Sequence, residues 1–253
     1  MSILKVQDLW VSFFGLMALT NLTFDIEEKS VVGLIGPNGA GKSTFFNVLS
    51  RLVNPQKGEI LYKGESILKY RPYDMARKGI RRSFQTPAIF KSLTVLENLL
   101  VGAHLAFECG LAEYALHLPR ACKEDRARRD EALSLLESLG LGRFADQKAD
   151  SMPIVFQRRM EIGRTLMIKP SLLLLDEPTA GMIAEERENM VQFIREINER
   201  GGITIIVVEH DIKLIRKLCD HVIVLNFGEK IGDGTPEEVS RNANVIKAYL
   251  GEE

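Results

Sequence analysis

The stretch "VVGLIGPNGAGKSTFFNVLSRLV" (31–53) decides the fold. Its first five residues form an apolar run, typical of a strand that is buried on both faces. Residues 42–53 have the apolar spacing of a helix. Between them, "GPNGAGKST" (36–44) fits the phosphate-loop pattern G-x-x-x-x-G-K-[ST], which needs a strand before it and a helix after it. The stretch therefore predicts an α/β domain that binds a nucleotide.

The loop carries the chemistry that phosphate binding requires. Its glycines let the backbone curl so that successive N–H groups point at phosphate oxygens, and the following helix adds its positive N-terminal end. Lys42 can reach the β and γ phosphates, and the Ser43 hydroxyl can ligate Mg²⁺. The predicted nucleotide-binding residues of the loop are Gly36, Asn38, Gly39, Ala40, Gly41, Lys42, Ser43 and Thr44.

Three further stretches carry candidate catalytic groups. "LLLLDEP" (172–178) is an apolar strand that ends in two carboxylates. Asp176 would hold Mg²⁺, directly or through water, and Glu177 would polarise the attacking water. His210 follows the buried run "IIVVE", at the sheet edge where α/β proteins bind ligands, and would contact the γ-phosphate. In "SFQTPAIF" (83–90), the Gln85 amide could contact Mg²⁺ or the water. A capping or surface pair remains the alternative for the carboxylates, and a structural role for the histidine.

Composition limits the other possibilities. The 253 residues carry a net charge of −1, so no overall field favours nucleic acid or an anionic membrane. Three cysteines without metal-ligand spacing argue against a disulfide framework. No signal peptide is evident, and no apolar run reaches the ~18 residues of a spanning helix, which predicts a cytosolic chain. The basic run "RKGIRR" (77–82) is either a phosphate patch or a solvated rim that meets a partner.

Pattern changes along the chain predict two parts. Strands alternate with helices in 1–90 and 165–253, which predicts a mixed sheet with an antiparallel β edge. Residues 91–164 have an almost entirely helical period, and Thr94 with Glu97 has the spacing of a capping box at a helix start. We therefore expect an α/β core made of the first two ranges and a helical lobe between them.

These motifs, in this order, resemble the ATP-binding cassette (ABC) transporter ATPases over essentially the whole chain. "FQTPAIFKSLTVLENLLVGAH", "RRMEIGRTL", "DEPTAGM" and "LCDHVIVLNFGEKIGDGTPEEV" are similar to the ATPase of branched-chain amino-acid importers. Urea-importer ATPases, which share "VSF-G--AL", come second, and ATPases of lipopolysaccharide export are more distant.

The resemblance implies a set of ligands and partners. ATP and Mg²⁺ would be the cofactors, and Phe13 would stack on the adenine. Gln85 would couple to membrane-spanning permease subunits, and His210 would be the switch histidine. The chain would lie in the cytoplasm, peripheral on the inner face of the membrane, paired with a second ABC ATPase as a heterodimer or with its own copy.

Two stretches depart from the family pattern. Where the signature L-S-G-G-Q is expected, residues 152–156 read "MPIVF". Pro153 has neither hydroxyl nor N–H, Val155 replaces a glycine, and Phe156 replaces a glutamine. Ile183 stands where an Asp or Asn usually contacts the other subunit. The departure reflects either a natural asymmetric pair of sites or an altered chain.

The leading hypothesis is therefore an ATP-hydrolysing transporter subunit that works beside a related ATPase with an intact signature. Losing preorganised donors to a developing charge typically costs about 10² to 10³ in rate each, so the isolated chain should turn over slowly. A non-hydrolysing, regulatory ATP-binding cassette is the alternative, as is a urea or amide importer ATPase. A soluble cassette for DNA repair or translation fits less well, because no fused second cassette or coiled-coil arm is present.

Overall fold

The fold is described from a computed structural model, and the structure describes residues 1–83 and 88–250. The chain forms two compact units. The first consists of Met1–Arg82 with Ser171–Glu253, and the second is Ser83–Pro170. The boundaries expected from the sequence, after residues 90 and 164, fall inside the second unit.

Numbered in chain order, the strands of the described ranges are β1 (Ser2–Phe13), β2 (Leu16–Glu27), β3 (Val31–Ile35), β4 (Lys57–Tyr62), β5 (Glu65–Ser66), β6 (Ile80–Arg82), β7 (Leu172–Asp176), β8 (Thr204–Val208), β9 (His221–Asn226) and β10 (Glu229–Gly234). The α-helices are α1 (Lys42–Leu49), α2 (Pro72–Lys78), α3 (Val95–Gly102), α4 (Leu111–Ala115), α5 (Pro119–Ser138), α6 (Ile154–Leu166), α7 (Ala184–Gly201), α8 (Ile212–Leu218), α9 (Pro236–Ser240) and α10 (Ala243–Leu250). All of the strands lie in the first unit.

The strands of the first unit form two sheets. The smaller is antiparallel, with the order β2-β1-β4-β5, and the larger has the order β10-β9-β3-β8-β7-β6. In the larger sheet β3 pairs in parallel with β8 and β9, and β7 with β6 and β8, whereas β10 runs antiparallel to β9. This confirms the predicted α/β fold with a mixed sheet.

Burial explains why the central strands read as continuous apolar runs. Every residue of β3, β7 and β8 is buried, because strands inside a parallel sheet are covered on both faces. Their carboxyl ends lie at one edge of the sheet, where the loops after Ile35, Asp176 and Val208 emerge. The fold therefore brings three stretches that are far apart in sequence to one edge.

The second unit is helical in the described residues. Thr94 caps α3: its hydroxyl accepts from the Glu97 N–H at 3.1 Å, and the Glu97 carboxylate accepts from the Thr94 N–H at 2.7 Å. This confirms the capping box. Helices α3 and α6 approach closely at Gly102, where a Cβ would lie 2.1 Å from the Arg164 carbonyl oxygen. Glycine is required there because any side chain would separate the two helices.

Candidate functional site

The phosphate loop joins β3 to α1 as its sequence predicts. Gly36, Gly39 and Gly41 all have positive φ, at +150°, +81° and +100°. A Cβ on Gly36 would lie 2.1 Å from the Leu225 carbonyl oxygen of β9, so the loop could not take this course with a side chain there. The Lys42 ammonium donates to the carbonyl oxygens of Gly36, at 2.7 Å, and Pro37, at 2.9 Å.

One cavity of about 200 Å³ collects most of the predicted site residues. Its lining combines the phosphate loop with the ends of β7 and β8 and with one residue of β2. The lining residues are Ala18, Asn38, Gly39, Ala40, Gly41, Lys42, Ser43, Thr44, Glu177, Val208 and His210. Burial lowers the pKa of Lys42, and the nearby carboxylates of Glu177 and Asp176 oppose that shift. The loop lysine therefore lies near the carboxylates at the end of β7.

Glu177 is held in an unusual backbone conformation directly after β7. Its φ is +46°, in the left-handed region that non-glycine residues seldom adopt. Its N–H donates to the Val208 carbonyl oxygen at 2.9 Å, and its carboxylate lies 2.9 Å from His210 Nε2. Residues in such conformations cost free energy and cluster at functional sites. The turn thus points the carboxylate at His210 on the cavity wall.

Glu209 fixes the turn from the neighbouring strand, a role that sequence reasoning missed. Its buried carboxylate accepts from both the Thr179 N–H, at 3.0 Å, and the Thr179 hydroxyl, at 2.6 Å. A buried carboxylate requires such partners. Because Glu209 precedes His210 and Thr179 follows Glu177, the contact ties the two cavity-lining side chains to one framework. A charged residue at the end of an otherwise apolar strand was the available signal.

Three predicted residues of the described ranges, Phe13, Gly36 and Asp176, do not line the cavity. Phe13 ends β1 and is 42% exposed. Among the described residues that line the cavity it is absent, although Ala18, on the β2 arm of the same hairpin, is present. No sequence pattern predicts that Ala18 would line the site. Gln85 lies outside the described residues.

Asp176 ends β7, and its carboxylate forms an ion pair with an arginine of β6. Arg82 Nη2 lies 2.8 Å from Asp176 Oδ2, and both side chains are largely buried. The basic run 77–82 therefore does not form only a rim: its last three residues are strand β6, paired with β7. This strand is not evident in the sequence, because it is three residues long and two of them are arginines.

The divergent turn 152–156 packs into the second unit. Met152 and Val155 are buried, at 4% and 7% exposure, whereas Ile154 is 40% exposed. Phe156 packs on Phe144, with ring centroids 4.9 Å apart. The Val155 side chain, expected to stand where a phosphate would approach, points into the core of its unit instead. Pro153, at the N-cap of α6, and Ile154 form the exposed part of the turn.

Ile183, in the other divergent stretch, is exposed at the start of α7. It occupies the N-cap, and its N–H donates to the Glu186 carboxylate at 3.0 Å. Met182 beside it is buried. An apolar side chain therefore stands at the surface where the family pattern has a polar one.

Comparison with known families identifies the chain. The model of the ABC transporter family matches residues 19–180, a range that contains the phosphate loop, Asp176 and Glu177. The chain belongs to the ABC transporter family. A second model, named branched-chain amino acid ATP-binding cassette transporter, matches residues 229–253 of the cassette. The predicted family is confirmed, and the cassette is an ABC ATPase.

Individual relatives agree with this assignment. The high-affinity branched-chain amino acid transport ATP-binding protein BraF of Pseudomonas aeruginosa is 39% identical over 99% of the cassette and 98% of its own chain. A crystal structure of the ADP conformation of an ABC transporter cassette superposes with a TM-score of 0.86, at 29% identity and full coverage of both chains. A dimeric post-hydrolysis cassette bound to ADP and phosphate superposes at 0.75, with 26% identity, 92% coverage of this chain and 98% of that one.

Residues 1–83 and 88–250 contain neither a candidate membrane-spanning helix nor a cluster of metal-ligating side chains. None of the helices there combines the length and apolar character that crossing a bilayer requires. Within the same residues, no group of three or more His, Cys, Asp and Glu side chains is arranged to bind a metal. Mg²⁺ in phosphate sites is commonly held by one or two protein oxygens together with the phosphates, and Ser43 and Asp176 are donors of that kind.

Proposed function

We propose that this cassette hydrolyses ATP and thereby powers the uptake of branched-chain amino acids through a membrane transporter. The observation that carries the proposal is a cavity lined by the phosphate loop, Glu177 and His210. The names of the relatives support the substrate class, since BraF is a branched-chain amino acid transport protein.

In the proposed reaction, a water molecule attacks the γ-phosphorus of ATP, and the bond to the β-phosphate oxygen breaks to release ADP and phosphate. Glu177 orients the water and accepts its proton. His210 holds the Glu177 carboxylate through the 2.9 Å contact and, from the cavity wall, would contact the γ-phosphate. Lys42 and the N–H groups of the phosphate loop balance the charge of the phosphates.

The oxygen donors near Lys42 suit Mg²⁺. Ser43 lines the cavity, and the Asp176 carboxylate lies close enough to Lys42 to act on its pKa. These two residues would hold the ion, together with Gln85, which lies outside the described residues. Bound there, Mg²⁺ would neutralise charge on the phosphate oxygens.

Phe13 would supply the face on which adenine stacks. Its ring is half exposed at the end of β1, and the partner arm of its hairpin contributes Ala18 to the cavity wall. An aromatic ring on the arm of the hairpin opposite Ala18 could stack on the base of a nucleotide whose phosphates lie in the cavity.

The cassette would work in an asymmetric pair with a related ATPase. A dimeric cassette with ADP and phosphate is among its structural neighbours. The turn 152–156 offers a partner's nucleotide neither a hydroxyl nor a glycine, because Pro153 and Ile154 are its exposed residues. The phosphate loop here would pair with an intact signature on the partner, and the opposite site would bind ATP but turn over slowly. Both ATPases would lie against permease subunits on the cytoplasmic face of the membrane.

ATPase assays of the cassette alone, and of the cassette reconstituted with its permease and second ATPase, test this proposal. Alone, it should bind ATP with Mg²⁺ and hydrolyse it slowly. In the reconstituted complex, hydrolysis should rise and should be stimulated by branched-chain amino acids delivered with their binding protein. Urea in place of the amino acids distinguishes the urea-importer alternative.

Lys42→Ala in the reconstituted complex separates a hydrolysing from a regulatory cassette. If this chain hydrolyses ATP, the variant loses the stimulated activity, because the charge that holds the phosphates is gone. Unchanged activity would show that the partner carries all of the hydrolysis. Lys213→Ala, an exposed lysine of α8, is the matched control and should leave the activity unchanged.

A further inference from the structure

The ion pair between Arg82 and Asp176 involves one of the proposed ligands of Mg²⁺. The side chains are 13% and 11% exposed, and their nearest N and O atoms are 2.8 Å apart. Arg82 ends β6, and Asp176 ends the adjacent parallel strand β7. A charged hydrogen bond at this distance, shielded from water, is among the stronger polar contacts in proteins.

A guanidinium and a divalent cation make competing demands on this carboxylate. Asp176 is a proposed ligand of Mg²⁺, yet a positive charge of the chain already lies against it. Lys42 adds a second positive charge nearby, since the carboxylates of Glu177 and Asp176 act on its pKa. Like charges a few ångströms apart repel strongly where water is excluded. A metal ion arriving without phosphates would therefore meet a site that is already neutralised.

The guanidinium has other partners that would keep it in place if the carboxylate were taken. Arg82 Nη1 donates to Asn47 Oδ1 at 2.7 Å, and its Cζ lies 5.4 Å from the centre of the Phe46 ring. Both residues belong to α1, the helix that begins at Lys42. Arginine stacks on aromatic faces with a favourable cation–π energy. Arg82 can thus release Asp176 without losing all of its contacts.

We propose that Arg82 is a positioning residue that competes with the divalent cation for Asp176 and makes metal binding depend on the nucleotide. The inference rests on the proposed function, because it takes Asp176 as a ligand of Mg²⁺. Without nucleotide, the Arg82–Asp176 pair excludes the ion. With nucleotide, the phosphates supply the negative charge that lets the ion displace the guanidinium.

Binding of Mn²⁺, a paramagnetic substitute for Mg²⁺, tests the proposal through the electron paramagnetic resonance signal of the free ion. The full-length protein is titrated with Mn²⁺ alone and with Mn²⁺ and ADP. Wild type should bind Mn²⁺ weakly alone and tightly with ADP. Arg82→Gln should raise the affinity for Mn²⁺ alone by about tenfold or more, because one repelling charge is removed. The ratio of the Mn²⁺ affinity with ADP to that without ADP should therefore be smaller in this variant than in wild type.

Three further variants separate charge from packing. Arg82→Lys keeps the charge and should bind Mn²⁺ as wild type does. Arg195→Gln removes an arginine that is paired with Asp220 elsewhere in the first unit, and should change nothing. Adding Asp176→Asn to Arg82→Gln should abolish the gained affinity, because the carboxylate is the proposed ligand.

A measurement on the unmodified protein covers the case in which Arg82→Gln fails to fold. The nitrogen-15 resonance of the Arg82 side chain, assigned by comparison with Arg82→Lys, should shift when Mg²⁺ is added to the ADP-bound protein. An unshifted resonance would contradict the proposal, as would unchanged affinity for Mn²⁺ in a folded Arg82→Gln. If wild type binds no nucleotide, the proposed function itself is wrong. If it binds ADP with Mn²⁺ and the Arg82 variants match wild type, only the present inference is wrong.

Discussion

The edge of the larger sheet and the start of α6 are both regions where a cassette is expected to meet nucleotide, and they are built from opposite kinds of side chain. At the sheet edge, Lys42, Glu177 and His210 converge on one cavity, and Glu177 has a strained backbone. At the start of α6, Val155 is buried and Phe156 packs on Phe144. The positive φ of Glu177 in the first region costs conformational free energy. The second region packs as an ordinary hydrophobic core does.

Loss of a binding motif therefore need not disturb the fold around it. A helix start tolerates proline, because its N–H groups have no partners within the helix. Apolar substitutions can then pack inward, as Met152 and Val155 do. Proline at the sheet edge would be far less tolerable: Gly36 has a φ of +150°, and its neighbour Leu225 leaves no room for a side chain. Variants in the two regions should therefore differ in their effects on ATP hydrolysis, ATP binding and stability.

Replacing the proposed catalytic carboxylate should have the largest effect. In the reconstituted complex, Glu177→Gln should lower kcat by about 10² to 10⁴, the usual contribution of a general base. ATP affinity should persist, because the phosphate loop is untouched. Steady-state ATPase rates and equilibrium binding of a fluorescent ATP analogue measure the two effects. Glu185→Gln, on the exposed first turn of α7, is the control and should behave as wild type. A Glu177→Gln complex that hydrolyses ATP normally would remove Glu177 from the mechanism.

Restoring the signature should have the next largest effect. The triple variant Pro153→Ser, Val155→Gly, Phe156→Gln should raise hydrolysis by the isolated cassette at least about tenfold, since a single donor to developing charge is commonly worth more than that. The rate should rise with the square of protein concentration while the copies pair. The same triple variant carrying Glu177→Gln is the control and should stay inactive. A restored signature without any gain would show that asymmetry has another cause.

Truncation at the turn should distinguish its buried from its exposed residues. Val155→Ala should lower the free energy of unfolding by about 2 kcal/mol, because it removes two buried methyl groups and leaves a cavity. Ile154→Ala, one position away and 40% exposed, should change it by less than about 0.5 kcal/mol. Urea unfolding, monitored by circular dichroism, measures both. Equal losses in the two variants would mean that the turn does not pack as a core.

Removal of the proposed adenine-stacking residue should have the smallest effect. Phe13→Ala should weaken ATP binding by up to about tenfold, in line with the ~0.5 to 1.5 kcal/mol of an aromatic stacking contact. Phe14→Ala, at the exposed tip of the same hairpin, is the matched control. GTP binding should be measured beside ATP in each variant. Equal ATP affinities for Phe13→Ala and wild type would exclude Phe13 as the stacking residue.

Much of the sheet edge could be predicted because each motif is local. The phosphate loop needs its glycines, lysine and serine within nine consecutive residues, and the apolar strands before the loop and before Asp176 read directly as buried. His210 was placed by the same reasoning, since the carboxyl ends of parallel strands share one edge. In the structure, one cavity is lined by Lys42, Ser43 and His210 together with Glu177. The roles of Asp176 and Gln85 in metal binding stay predictions.

Other features depend on pairings that no local pattern encodes. Arg82 reads as part of a basic surface run, yet β6 pairs with β7 and places its guanidinium against Asp176. Glu209 reads as the polar end of a strand, yet its carboxylate accepts hydrogen bonds from Thr179, which follows the adjacent strand β7. Val155 reads as an obstruction to phosphate, yet its side chain is buried. Asp176 and Thr179 lie far in sequence from Arg82 and Glu209, and the burial of Val155 depends on how its helix packs. None of the three contacts can therefore be predicted from a local pattern.

Residue types and spacings alone predict the α/β class, the phosphate loop and the family, because all three depend on short, local patterns. The loss of the signature was also visible there, since a proline or a valine cannot act as a serine or a glycine. Contacts in the folded protein, in contrast, set which charges meet at Asp176, how Glu177 is oriented toward His210 and where the apolar turn packs. Those outcomes depend on strand register and on burial, which are set by contacts between residues that the chain itself keeps far apart.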